Sequence, residues 1–129
     1  MIAVDTNVII RLLTRDDEAQ YEAAYALFSE QNIYITTTVL LETEWVLRYA
    51  YHFAANEVLA ALQGLLGLEN VELADAVHVA AALEWHEQGL DFADALHLAA
   101  SQQADSFVTF DRRLVTGASR LASITVRAL

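Results

Sequence analysis

The 129-residue sequence contains no cysteine, no proline and no lysine. Without cysteine there can be no disulfide, no thiol nucleophile and no Cys-rich zinc site, so redox chemistry on sulfur is excluded. The same absence suits a reducing, cytoplasmic setting. Long hydrophobic runs are missing as well. Apolar residues make up 56% of the chain, yet they are spread over short amphipathic segments that fall well short of a membrane span, so a soluble protein is expected. The segment Met1-Ile2-Ala3-Val4-Asp5 has neither a basic n-region nor a long apolar core and does not read as a secretory signal. No linker, internal repeat or low-complexity stretch interrupts the chain. Its length is enough to bury one core, so a single domain over residues 1–129 is expected.

Positive charge is scarce. Eighteen acidic residues against seven basic ones give a formal charge of -11, which argues against generic attraction to a polyanion. All seven basic residues are arginine, at 11, 15, 48, 112, 113, 120 and 127, and arginine suits bidentate phosphate contacts. For most of the acids, solvated helix faces that keep an apolar-rich chain dispersed are the better explanation.

Periodicity alternates between strand and helix. Ile2-Ala3-Val4 reads as a short buried strand, and Asp5-Thr6-Asn7 leads from it into a helix. Asp16-Asp17-Glu18 places three acids as capping groups at the start of a second helix reaching about Gln31. Ile33-Tyr34-Ile35 is a second strand, and the helix after Thr36-Thr37-Thr38 carries Leu41, Trp45 and Val46 inward. Glu42 lies one turn into that helix, and Glu44, two positions on, is expected at the surface. Residues 54–67 show a leucine stripe at 59, 62, 65 and 66, and a strand follows at Val71 to Leu73. A helix from Asp75 to Gln88 ends at Gly89, and another starts near Phe92. Strands at 106–110 and 124–126 flank a short turn or helix from Asp111. The high alanine content of the helices implies close helix packing. This alternation predicts an α/β fold, a parallel sheet covered on both faces.

In such sheets ligands bind beyond the carboxyl ends of the strands. Asp5 and Asp111 each follow a strand, Asp94 lies in the first turn of a helix, and Glu42 lies one turn into the helix after strand two. Taken singly, each has a capping, dipole or surface explanation. Taken together, four carboxylates at one sheet edge would repel unless a cation sat among them. Carboxylates without His or Cys suit hard cations, hence Mg²⁺ or Mn²⁺. One or two such ions can activate a water, neutralise a phosphate and stabilise the leaving oxygen, which is nuclease chemistry.

Four segments carry a resemblance: Val4-Asp5-Thr6-Asn7-Val8, Leu41-Glu42-Thr43-Glu44-Trp45-Val46-Leu47, Asp91-Phe92-Ala93-Asp94-Ala95-Leu96, and Thr109-Phe110-Asp111-Arg112-Arg113-Leu114. In this order and separation they resemble the PIN-domain family, with the VapC-like toxins as the closest branch. The resemblance covers essentially the whole chain. It implies a three-layer α/β/α sandwich with a central parallel sheet, an acidic pocket holding Mg²⁺ or Mn²⁺, and endoribonuclease activity on single-stranded or structured RNA. It also implies a cognate antitoxin and usually a homodimer. Carried over residue by residue, the family's acidic quartet falls on Asp5, Glu42, Asp94 and Asp111. Asp5 and Asp94 would ligate the metal directly. Glu42 and Asp111 would act directly or through metal-bound water, and Asp111 could also help to place a second ion or the attacking water. Asn7 and Thr109 match polar positions beside the quartet, although capping and strand packing explain them as well. Asp91, three residues before Asp94, faces the same pocket or caps its own helix.

Arg11 and Arg15, four apart on the first helix, and Arg112-Arg113 after Asp111 are candidate phosphate contacts. Equally, Arg11, Arg15 and Arg48 could pair with neighbouring acids or with those of an antitoxin. His52, His78, His86 and His97 form no pair four apart on one helix face, so ordinary helix histidines are expected, with His97 near enough to Asp94 to hydrogen-bond by the pocket. Trp45, Trp85 and the tyrosines read as core or interface residues rather than base-stacking platforms. A receiver-like phosphoacceptor domain would also bind Mg²⁺ but needs a lysine, and there is none. A phosphatase with an aspartate nucleophile needs a second Asp where Asn7 stands. A catalytically idle PIN-like binding module gains little support, because all four acids are present.

Overall fold

A computed structural model describes residues 1–129. The chain forms two compact units, Met1–Ala74 and Asp75–Leu129. The first contains β1 (Ile2–Ala3), α1 (Thr6–Thr14), α2 (Glu18–Glu30), β2 (Ile33–Ile35), α3 (Thr37–Tyr49), α4 (Ala55–Leu66) and β3 (Val71–Leu73). The second contains α5 (Ala76–Glu87), α6 (Phe92–Ala100), β4 (Ser106–Thr109), α7 (Arg112–Ala118) and β5 (Thr125–Ala128). No helix is long and apolar enough to cross a membrane.

All strand pairs are parallel, as the strand–helix alternation requires. The strands form two ladders. In the first unit the order is β1-β2-β3, with Ile2 opposite Ile33 and Ile33 opposite Val71. In the second, β4 pairs with β5, Ser106 opposite Thr125 and Thr109 opposite Ala128. The sequence pattern identifies the strands, but a local pattern does not name the partner each strand takes. Ile2 is 41% exposed and Ala3 is exposed, so the expected buried first strand is corrected. β1 is short and stands at the end of its ladder, and burial begins only at Val4.

Helix ends follow local chemistry. Asp17 caps α2 by accepting from the Gln20 amide at 3.0 Å. Of the three acids expected as caps, it is the one that caps: Asp16 and Glu18 pair with arginines. Glu57 accepts from the Ala54 amide at the start of α4. Gly89 follows α5 with φ of 113°, a conformation that a Cβ would strain.

Packing settles the faces. Leu40, Thr43, Glu44 and Leu47 are the buried stripe of α3, at i, i+3, i+4 and i+7. The expected inward set is therefore corrected, since Leu41 and Val46 are half-buried and Trp45 is 54% exposed. Glu44 corrects its reading too. Its carboxylate is 2% exposed and forms an ion pair with Arg48 one turn on, at 3.1 Å. Leu40 and Leu47 are fully buried, each contributing about 1.5–3 kcal/mol. In α4 the buried residues are Val58, Leu62 and Leu65, with Leu59 and Leu66 half-buried. In the second unit α5 packs on α6, and Ala82, Ala95 and Ala99 are fully buried. Small side chains let these helices approach closely, as the alanine content implies.

Candidate active site

In the first unit, two acids occupy the positions the sequence singles out. Asp5 follows β1 with extended backbone and caps α1, its Oδ1 accepting from the Thr6 amide at 2.7 Å. Thr6 is buried beside it, and its hydroxyl has no hydrogen-bond partner. Glu42 is exposed on α3. Asn7, one residue inside α1, lines a groove of about 350 Å³ between α1 and α2, together with Val8, Arg11, Gln20 and Leu27.

The second unit gathers its acids more closely. Asp91, Asp94 and Asp111 line one pocket of about 300 Å³ with Gly89, Leu90, Arg113 and Leu114. Helix starts place all three. Asp91 caps α6, its Oδ2 accepting from the Asp94 amide at 3.2 Å. Asp94 stands in the first turn of that helix. Asp111 caps α7, with Oδ1 accepting from the amides of Arg113 at 2.9 Å and Leu114 at 3.2 Å. Thr109 fixes the turn before it, its hydroxyl accepting from the Asp111 amide at 3.0 Å. Asp91 and Asp111 therefore cap helices and face a shared pocket at once.

The electrostatics of this pocket are those of crowded like charges. Burial raises the Asp94 carboxyl above the ordinary carboxylate range, and the nearby Asp91 and Asp111 raise it further. His97, one turn along α6, opposes the shift. The donors here are carboxylate oxygens, with no histidine among the lining residues, a set that fits a hard divalent cation. No three His, Asp or Glu side chains are drawn together tightly enough to enclose an ion. An open site, completed by water and substrate oxygens, is the kind this arrangement can offer.

The PIN-domain family matches residues 2–118, from β1 to the end of α7. The chain belongs to the PIN-domain family. PIN domains are nucleases. No curated protein sequence matches the chain. Among solved structures, the crystal structure of VapBC2 from Rickettsia felis bound to a DNA fragment from its promoter is similar at 15% identity and TM-score 0.40. That alignment covers 98% of this chain and 96% of the other.

In this PIN domain the arginines divide sharply. Arg11 donates to Gln20, Asp16 and the Tyr51 hydroxyl, and the Tyr51 hydroxyl in turn donates to Asp16 at 2.7 Å. That bond is the main reason the Asp16 carboxyl lies below its ordinary range. Arg15 is not on the face of α1. It is the left-handed C-cap of that helix, and it forms an ion pair with Glu18 at 2.7 Å and covers the Tyr21 ring. Arg112 and Arg113 are exposed in the first turn of α7, where the helix dipole disfavours cations. Helix stability does not explain them.

One exposed feature of α3 departs from the expected core or interface role of its aromatics. Trp45 and Tyr49 stand exposed on α3, with ring centroids 5.2 Å apart. Local pattern alone does not choose the face: only the observed burial of Leu40 and Leu47 puts positions 45 and 49 outward.

Proposed function

We propose that this PIN domain is a Mg²⁺- or Mn²⁺-dependent endoribonuclease, the toxin of a toxin–antitoxin pair, built on Asp5, Glu42, Asp94 and Asp111. The observation that carries the reading is the pocket in which Asp91, Asp94 and Asp111 meet with Arg113 on its wall. Carboxylates held together against their mutual repulsion are suited to a cation, and a guanidinium beside them is suited to a phosphate.

When bound, Mg²⁺ or Mn²⁺ supplies charge neutralisation at the phosphate and activation of a water for hydrolysis. The side chains do the rest. Asp94 and Asp5 would hold the ion directly. Asp111, with Oδ1 fixed by two amides, would present its second oxygen to metal-bound water, and Glu42 would act directly or through water. Arg113 receives a phosphate oxygen, with Arg112 beside it. Asp91 and Thr109 accept from the amides of Asp94 and Asp111 and so fix their backbone, and Asn7 would support Asp5. The antitoxin partner, the homodimer and the cytoplasmic setting rest on the resemblance of the four motifs to the VapC-like branch.

The test is cleavage of total RNA by the purified protein. Cleavage that requires Mg²⁺ or Mn²⁺, stops with chelator and is lost in Asp5→Asn and Asp94→Asn supports the site. Wild-type activity in either variant, with an unchanged fold by circular dichroism, removes it. Sequencing the RNA ends made in cells on brief expression identifies the target in the same comparison.

A further inference from the structure

The exposed rings of α3 stand on the same stripe as a proposed catalytic acid. Because the helix buries Leu40, Thr43, Glu44 and Leu47, its outer face carries Thr38, Glu42, Trp45 and Tyr49, all exposed. Spacings of four, three and four keep them in one row. At about 1.5 Å of rise per residue, Trp45 lies roughly 4.5 Å and Tyr49 roughly 10.5 Å along the axis from Glu42. Trp45 is 54% and Tyr49 57% exposed, and their planes are tilted by 44°. The Arg48 guanidinium lies over the Tyr49 ring at 4.6 Å and is itself held by the buried Glu44. The rings are thus fixed before any ligand arrives, which lowers the entropy lost on binding.

We infer that Trp45 and Tyr49 form a base-stacking subsite for single-stranded RNA, holding a nucleotide beside Glu42. This rests on the ribonuclease reading and assigns the part of the substrate that α3 recognises. Two observations favour RNA over a protein partner. First, every arginine of this unit is committed to a carboxylate, Arg11 to Asp16, Arg15 to Glu18 and Arg48 to Glu44. What the unit offers a nucleotide is therefore aromatic surface, and stacking needs no positive charge in a chain of net charge -11. Second, two rings half exposed present roughly 200 Å², far less than the roughly 800 Å² per partner of a stable protein interface.

The experiment uses the full chain with Trp85→Phe, so that Trp45 is the sole tryptophan, and titrates a short single-stranded oligoadenylate. Ca²⁺ replaces Mg²⁺ to hold cleavage back. Saturable quenching of Trp45 emission by the single strand, and little by the same sequence in a duplex, is expected. In cleavage assays on the otherwise native chain, Trp45→Ala raises KM by roughly 5- to 100-fold with kcat changed less than about threefold, and Trp45→Phe recovers most of the loss. Unchanged KM in both variants, or no quenching, overturns the inference. So does a Trp45→Ala protein that binds RNA normally but changes its molecular mass in solution, since the rings would then be a protein interface. Absence of cleavage by the wild type would remove the ribonuclease reading, while the fluorescence titration decides the stacking subsite on its own.

Discussion

The first unit neutralises its cations internally, and the second leaves its arginines outside any ion pair. Arg11, Arg15 and Arg48 each pair with an acid in the same unit. Arg112, Arg113, Arg120 and Arg127 form no ion pair, while Asp91, Asp94 and Asp111 crowd one pocket. Pairing of the first kind fixes a fold. Crowding of the second kind raises free energy, and its use lies in what it can bind. An arginine in this sequence is therefore not one kind of object: the three early ones are parts of the scaffold, the later ones are available to a ligand.

The largest effect should come from Asp94. Loss of groups that merely orient a metal ligand costs roughly 10- to 100-fold in affinity or activity, so Asp94→Asn, removing a proposed direct ligand, should lower metal-dependent RNA cleavage by about a hundredfold or more. The same substitution should raise stability at neutral pH. The folded carboxyl titrates above its ordinary value of 3.8, so the acid form favours folding below that value, and this contribution is lost as pH rises through the shifted one. Thermal melts of Asp94→Asn and wild type should converge at acid pH and separate, variant higher, at neutral pH. Equal melting temperatures at neutral pH would mean that the acids are not crowded.

Next comes the buried pair in the first unit. Arg48→Met leaves the Glu44 carboxylate, 2% exposed, without its cation. Breaking a buried pair costs about 3–5 kcal/mol, and because Arg48 is a third exposed a loss of roughly 2 kcal/mol is expected in chemical denaturation. Glu44→Gln with Arg48→Met should recover part of it.

The smallest effects sharpen the contrast between the two sets of arginines. Arg113→Ala should raise KM for RNA by about tenfold and flatten its salt dependence, with melting unchanged. Arg15→Ala, which loses an exposed pair with Glu18, should leave RNA cleavage unchanged and melting nearly so. Equal kinetic effects of the two substitutions would break the comparison.

Much of this was legible in the order of residues. Every strand and helix is legible to within a few positions, because strand runs such as Ile33-Tyr34-Ile35, the cap Asp17 and the positive-φ Gly89 just past α5 act locally. Asp94 and Asp111 were named from their places at a helix start and a strand end, and both line the same pocket. Glu44 and Trp45 depart from their expected faces for one reason. The polar and apolar labels of residues 41–47 allow more than one inward face, and a buried glutamate becomes acceptable only when an arginine one turn away answers it.

By itself the sequence determined the parallel α/β class, the PIN-domain membership and the identities of the acids, since periodicity, capping and motif spacing depend on near neighbours in the chain. Tertiary structure decided which side of α3 is buried, which arginines are already paired, and that Asp91 shares a pocket with Asp94 and Asp111. Those outcomes depend on the positions of residues distant in sequence, through desolvation and Coulomb interactions that act over a few ångströms in space.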